Sequence, residues 1–260
     1  MIVENFEGQT HRLKGRKALI TGATRGIGLA IAEEYARHGA DLVLTGSSVN
    51  GLPKVKDRLK RYGVGVKTFA ADLASDKEIV SLFSFAVGAE PELDILVNNA
   101  GIHVGKPFTE HTMEDFNRVM RINVSSVFRL SQLAVCHMIR LGRGKIVNIS
   151  SVAGLKGSVN SSAYNTSKHA MIGLTKCIAL ETAKKNIQVN AVCPGIVETD
   201  IIRNFEKKVV STGVSSEEFW TSVEKQNPMG RMLQPSEIAH IAVFLASSES
   251  DGMTGQTIII

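Results

Sequence analysis

"KALITGATRGIGLAIAEEYARHGADLVLTG", residues 17–46, decides the fold. It opens on a short apolar run, "KALIT" (17–21), and passes through a glycine turn, "TGATRGIG" (21–28). "IGLAIAEEYARHG" (27–39) then carries apolar residues at helical spacing and stops at Gly39, and "DLVLTG" (41–46) is a second run of strand length. Strand, glycine turn, helix and strand in that order make a βαβ unit. Apolar runs without strict alternation suit strands buried on both faces, as in a parallel sheet.

The same rhythm continues outward. The periodicity predicts helix 52–62, strand "VKTFAA" (66–71), helix 76–87 and strand "LDILVN" (93–98). It then predicts a long helix (113–140), strand "GKIVNIS" (144–150), a second long helix (162–185) and strand "IQVNAV" (187–192). Helix 236–247 and strand "QTIII" (256–260) close the chain. Ser75 and Glu78 have capping-box spacing and mark the start of the third helix. Alternating strands and helices joined by right-handed crossovers give an α/β, doubly wound fold with helices on both faces of the sheet. One Rossmann-type domain over 14–260, preceded by a loose arm over 1–13, is the economical reading. The stretch 196–234 breaks the rhythm; it is long and mixed and contains Phe205, Phe219 and Trp220. Such a segment is expected to be an irregular substrate lid or binding loop.

Composition narrows the function classes. The 260 residues are 43% hydrophobic and 21% charged, ordinary for a soluble chain with a full core. The net charge of +5 is scattered, and the densest basic run, "KDRLKR" (56–61), reads as a solvated helix face, so no nucleic-acid partner is expected. Cys136, Cys177 and Cys193 fit neither a disulfide framework nor a zinc pattern; they are expected to be buried apolar fillers in a reducing compartment, with no metal site. The N-terminal stretch has no apolar signal region, and no run of about 18 apolar residues spans a membrane. The cytoplasm is the expected compartment.

Gly22, Gly26 and Gly28 allow a tight turn, close backbone approach and an outward-facing helix N-terminus, which together accept a pyrophosphate. A plain glycine-rich turn is the bland alternative. The end of the second strand reads Thr45, Gly46, Ser47, Ser48, with no acid to bond ribose hydroxyls or repel a phosphate. Arg25, inside the glycine turn, can reach the same corner, so NADP(H) is favoured over NAD(H). Asp72 follows the third strand and is either an acceptor for the adenine amino group or an ordinary loop aspartate. "NNAG" (98–101) ends the fourth strand with two amides and two small residues, suited to a backbone passing close to a ribose.

"SAYNTSKHA" (162–170) places Tyr164 and Lys168 four apart, on one helix face. An ammonium at that spacing favours the phenolate form of the tyrosine. With "TGATRGIG", "NNAG", "SS" (150–151), "YNTSK" and "CPGIVET" (193–199) in order, the chain resembles the classical short-chain dehydrogenase/reductase family from about Lys14 to Ile260. That resemblance implies a seven-stranded parallel sheet in order 3-2-1-4-5-6-7. It also implies a catalytic set of Asn123, Ser151, Tyr164 and Lys168: Tyr164 as acid and base, Ser151 on the substrate oxygen, Lys168 on the nicotinamide ribose, and Asn123 holding a water that links Lys168 to solvent. On the same basis the cofactor is held by Gly22, Thr24, Arg25, Gly26, Ile27 and Gly28 at the turn. Gly46, Ser47, Ser48, Asp72 and Leu73 fall to the adenosine end, and Asn99, Ala100 and Gly101 to the ribose, with Tyr164 and Lys168. Pro194, Gly195, Val197 and Thr199 fall to the nicotinamide carboxamide. A tyrosine working near neutral pH needs its pKa brought down by about three units from its usual ~10.

Ser150, next to Ser151 on a strand, should face the other way. His103 either lines the substrate pocket or has no chemical role; His137 and His169 belong to packing or helix surface. Met171, Met229 and Met232 read as core or lid fillers. The body is similar to 3-oxoacyl-carrier-protein reductases and polyketide-type ketoreductases, although Leu180 stands where carrier-protein reductases often show arginine. The leading reading is hydride transfer between NADP(H) and a carbonyl or secondary alcohol. An NAD-linked sugar, polyol or hydroxy-acid dehydrogenase is the alternative, and a non-catalytic dinucleotide sensor a second one. The first long helix has Phe116, Val119, Met120, Val124, Val127, Phe128, Leu130 and Leu133 on more than one face, so a homodimer or homotetramer is expected.

Overall fold

Six of the seven strands described divide their side chains between two cores, and the last contributes Ile258 to one of them. The computed structural model describes residues 11–47, 49–88, 92–211, 213–225 and 227–260. The elements run β1 (Lys17–Thr21), α1 (Gly26–Arg37), β2 (Asp41–Gly46), α2 (Leu52–Leu59), β3 (Val66–Ala70), α3 (Asp76–Val87) and β4 (Ile95–Asn98). They continue α4 (Met113–Met120), α5 (Ser126–Leu141), β5 (Gly144–Ile149), α6 (Ser162–Thr182) and β6 (Ile187–Cys193). Helices α7 (Asp200–Val210), α8 (Ser216–Lys225) and α9 (Pro235–Ala246) precede β7 (Thr257–Ile259). All strand pairs are parallel, in order β3-β2-β1-β4-β5-β6-β7. Ala18 and Ile20 of β1 pack with α1, α2 and α9, while Leu19 between them packs on the other face with α3, α5 and α6. The two-residue period of a strand thus places one apolar run in two cores at once.

The sheet carries a polar seam beneath its C-terminal edge. Asn98 of β4 donates to Asn148 Oδ1 of β5 at 2.8 Å and to Ser131 Oγ of α5 at 3.2 Å, and Asn148 donates to Thr175 Oγ1 of α6 at 2.8 Å. Asn98 and Asn148 are register partners. These side chains, all buried, tie α5 and α6 to the strands whose ends carry the site.

Several expectations change. Residues 1–10 of the expected arm lie outside the described residues, but Leu13 is fully buried and its N–H donates to His38 O, so the core begins before Lys14. The long helix expected over 113–140 is two helices joined by a π-helical turn, Arg121–Ser125. Ser75 caps α3 by accepting from Glu78 N at 3.4 Å, but the Glu78 carboxylate accepts from Asp72 N at 2.7 Å, so the reciprocal box is drawn one turn upstream. The 196–234 stretch is not irregular: it forms α7 and α8. Ser215 and Glu218 supply the capping box that starts α8, each accepting from the other's N–H. That signal was present in the sequence at ordinary spacing. Cys193 is buried, but Cys136 on α5 and Cys177 on α6 are exposed, because both lie on faces turned away from the sheet. No helix among the described residues is long and apolar enough to cross a membrane.

Candidate active site

The site is assembled where β1, β4, β5 and β6 end, on both sides of the point at which strand order reverses. The glycine turn is folded tightly against the "NNAG" segment. Gly22 has φ +65°, and a Cβ on Gly28 would lie 2.3 Å from Gly22 O and 2.4 Å from Asn99 Nδ2, so neither position takes a side chain without displacing backbone. Asn99 Nδ2 donates to Thr21 O at 2.9 Å and Gly22 O at 3.1 Å, while Thr21 Oγ1 accepts from Asn99 N and Ala100 N, each at 3.0 Å. Asn99 therefore clamps the turn. Thr21 was not singled out from sequence, since a strand-ending threonine carries no distinguishing pattern.

Helix α1 starts without a side-chain cap, and its first turn contains no acid. The N–H groups of Gly26, Ile27 and Gly28 are thus directed at the crevice with the positive end of the helix dipole behind them. This cradle fits a dinucleotide pyrophosphate. Thr24 packs on Gly46, where a Cβ would come within 2.9 Å of Thr24 Cγ2, and Ser47 is exposed beside them. Ser48 lies outside the described residues. Asp72 is exposed, but its Oδ1 already accepts from Ala74 N at 2.9 Å, leaving part of the carboxylate for a ligand; Leu73 is buried against the sheet. Arg25 is exposed and its Nε lies 3.6 Å from Asp200 Oδ2.

Across the crevice, Pro194 O accepts from Val152 N at 3.0 Å, and Gly195 N donates to Ile260 O at 2.8 Å. Val197 is buried and bridges Leu233. Thr199 stands at the N-cap position of α7 without a side-chain capping bond, and its Cγ2 sits 3.4 Å from where a Cβ on Gly26 would be. The segment 194–199 thus reaches back over the N-terminus of α1.

Tyr164 and Lys168 project from the first two turns of α6, with Lys168 Nζ 5.6 Å from the centre of the tyrosine ring. Lys168 is buried and donates to Ile149 O at 2.9 Å. Burial lowers its pKa to about 8. Ser151 accepts from Ala153 N at 3.1 Å and hydrogen-bonds Tyr164. Burial pushes the Tyr164 phenol above its ordinary value, and the Ser151 hydrogen bond opposes this without reversing it. The downward shift expected from Lys168 is absent in the chain alone, where desolvation of the phenol dominates. Ser150 faces away, its Oγ donating to Lys168 O at 3.1 Å.

Asn123 is fully buried in the π-helical turn. Its Oδ1 accepts from Ile102 N, and its Nδ2 donates to Ile102 O and Ser167 Oγ, at 2.9, 2.9 and 3.0 Å. The extra residue of the π turn aims this amide at the loop after β4. Both donor hydrogens are spent, so a bridging water is left the second lone pair of Oδ1. A Cβ on Gly101 would sit 3.3 Å from Asn123 Oδ1 and 3.7 Å from Lys168 Nζ, so glycine keeps the space over the cluster open. Ser167 and Ile102 could not be found from sequence, because one acts through a helix-interior hydroxyl and the other through its backbone. His103 stacks edge-on against Tyr164, ring centres 5.0 Å apart, with Nε2 3.0 Å from Ser161 Oγ, so it lines the site. His137 accepts from Leu93 N in the core, and His169 contacts Asn165 O on its own helix. Met171 is core, whereas Met229 is exposed.

The profile of the short chain dehydrogenase family matches residues 16–209. The chain is 38% identical over 248 residues to the 3-oxoacyl-(acyl-carrier-protein) reductase FabG of Aquifex aeolicus, covering 95% of this chain and 96% of that one. Among solved structures it is similar to a variant of actinorhodin polyketide ketoreductase with NADPH (TM-score 0.90, 35% identity, 94% and 95% covered). It is also similar to a 3-oxoacyl (acyl-carrier-protein) reductase of Agrobacterium tumefaciens with NADP bound (TM-score 0.88, 31% identity, 100% and 98% covered). Likeness of this extent, in sequence and in the order of all seven strands, has one explanation: the chain belongs to the short-chain dehydrogenase family of oxidoreductases.

Proposed function

We propose that this chain is an NADP(H)-dependent reductase of carbonyl compounds, acting in reverse on the matching secondary alcohols. The observation that carries the reading is the convergence of Ser151, Tyr164 and Lys168 at the same edge of the parallel sheet as the uncapped N-terminus of α1. The Gly22–Gly28 turn and the 194–199 segment would hold the cofactor, and when bound it supplies the hydride. NADP(H) is the cofactor because no acid stands at Gly46–Ser47 and relatives of similar sequence hold NADP or NADPH.

The chain's own residues handle the proton. The raised pKa keeps Tyr164 protonated at neutral pH, so it is ready to donate to a carbonyl oxygen. Ser151, already bonded to the phenol, donates to the same oxygen and stabilises charge developing there. Lys168 lies behind the ring and offsets the phenolate left after transfer. Asn123 fixes Ile102 and Ser167, and with them the wall of the site opposite Tyr164. Helices α7 and α8 are the substrate lid. Leu180 is 84% exposed on α6 and offers no cation to an acidic carrier protein, which favours a small free carbonyl compound over a carrier-bound one. Initial rates with NADPH and NADH across 3-oxoacyl thioesters, diketones, sugars and hydroxy acids test the reading; it fails if no carbonyl compound is reduced.

Exposed helix faces support self-association. Phe128 on α5 is 53% exposed, and Ile139, Cys136 and Cys177 join it on the outer sides of α5 and α6. Pairing these helices about a two-fold axis buries them all. Sedimentation at micromolar concentration should show a dimer or tetramer; a single species near the 28.1 kDa chain mass contradicts this.

A further inference from the structure

Arg25 stands at the N-cap of α1 but gives its side chain to neither the helix nor the glycine turn. Its guanidinium lies 3.6 Å from Asp200, the first residue of lid helix α7. The two line a cleft of about 380 Å³ together with Arg203, Asn204, Glu206 and Lys207. Within that cleft Arg203 is already paired, with Glu198 at 2.5 Å, and Glu206 accepts from Trp220 and Ser216. Thr199, next to Asp200 in the chain, packs against Gly26, next to Arg25, so the two segments are neighbours.

We infer that Asp200 is a cofactor-selectivity residue: it competes with the adenosine 2′-phosphate for Arg25. This rests on the NADP(H) reading above. A guanidinium can meet a carboxylate or a phosphate with the same donors, but not both at full strength. Asp200 therefore lowers the affinity gained from the 2′-phosphate and leaves the unphosphorylated cofactor unaffected. It also means that arrival of the 2′-phosphate frees the first turn of α7 from the glycine turn, whereas NAD(H) leaves that tie in place.

The test is a binding cycle read by calorimetry. Adenosine 2′,5′-bisphosphate and 5′-AMP, which differ by the 2′-phosphate alone, are titrated into wild type, Arg25→Ala, Asp200→Asn and the double variant. Trp220, the single tryptophan of the sequence, sits on α8 and reports the lid by fluorescence in the same samples. Wild type should prefer the bisphosphate, and Arg25→Ala should narrow that preference. Asp200→Asn should tighten the bisphosphate by about two- to fivefold, the range of an exposed ion pair, and leave 5′-AMP unchanged. In the Arg25→Ala background that gain should vanish. Asp200→Glu, which keeps the charge, should behave as wild type. A wild type with no preference for the bisphosphate overturns the NADP(H) reading and this inference with it. If the preference is present but Asp200→Asn changes neither ligand, changes both equally, or acts without Arg25, this inference alone is overturned, and Asp200 serves only the N-terminus of α7.

Discussion

The sheet and the segment above it are built on different principles. Strands β1, β4, β5 and β6 are buried along almost their whole length, and the site residues at their ends are locked by side-chain hydrogen bonds such as those of Asn98, Asn123 and Asn148. Helices α7 and α8 bury little: among their described side chains only Phe219 and Val223 are buried. They hold to each other through the Phe205–Phe219–Trp220 ring contacts and through Glu206, which accepts from Trp220 Nε1 at 2.7 Å and Ser216 Oγ at 2.5 Å. Their base is pinned by the Val197–Leu233 bridge. Proton and hydride chemistry needs atoms held to a fraction of an ångström, and substrate entry needs a part that opens. On the function proposed above, the first task falls to the sheet edge and the second to α7–α8.

The strongest way to break that contrast is to disturb the sheet edge. Gly28→Ala adds a Cβ 2.3 Å from a backbone carbonyl, where no side chain can yield. A loss of about 3 kcal/mol or more in stability is expected from such a clash, together with loss of NADPH binding. Denaturant unfolding and a fluorescence titration check both, and a variant as stable and as tight as wild type would show that the turn is looser than described.

Lys168→Met probes the electrostatic cost of the site. Folding lowers the Lys168 pKa from 10.5 to about 8, so between those values the unfolded chain holds a proton that the folded chain has lost. Stability attributable to this residue therefore rises with pH across 8–10.5, and below pH 8 the full penalty stands, of order 3 kcal/mol. The Met variant should gain most over wild type near pH 7, and the difference should shrink toward pH 10. Melting temperatures over that range decide; a difference that is constant with pH rules out a buried, depressed lysine.

The smallest effect is expected in the lid. Glu206→Gln removes the charge that gathers Trp220 and Ser216. Global stability should move by no more than about 0.5–1 kcal/mol. Amide exchange across 200–225 should quicken, with β1, β4 and β5 unchanged, and KM should shift more than kcat. Equal slowing of exchange in lid and sheet in the native chain would remove the distinction between them.

Much of the sheet half was legible in the sequence, because its signals are local. The strand–turn–helix of 17–39 reads from apolar runs and glycines, and Tyr164 and Lys168 share a face because four residues make just over one helical turn. Less legible were features that depend on distant partners. The π turn at Arg121–Ser125 follows from the Asn123 amide meeting Ile102 and Ser167, which no periodicity displays. The depressed Lys168 and raised Tyr164 follow from depth of burial, whereas spacing alone suggested the opposite shift for the tyrosine. The helices at 200–225 were missed although α7 carries Ile202, Phe205 and Val209 at helical spacing and the Ser215–Glu218 box was there to be read. Exposure of Cys136 and Cys177 depends on which face of α5 and α6 meets the sheet, and both helices are apolar on more than one side.

Tyr164→Phe separates the proton transfer proposed for Tyr164 from the cofactor binding proposed for the rest of the sheet edge. The ring and its contacts with Lys168 and His103 remain, and the hydroxyl is lost. NADPH affinity measured by fluorescence should stay within about twofold of wild type, while NADPH oxidation with the best carbonyl substrate should fall by about 10²–10⁴-fold. Turnover near the wild-type rate would contradict the account, as would a loss of NADPH binding that matches the loss of rate.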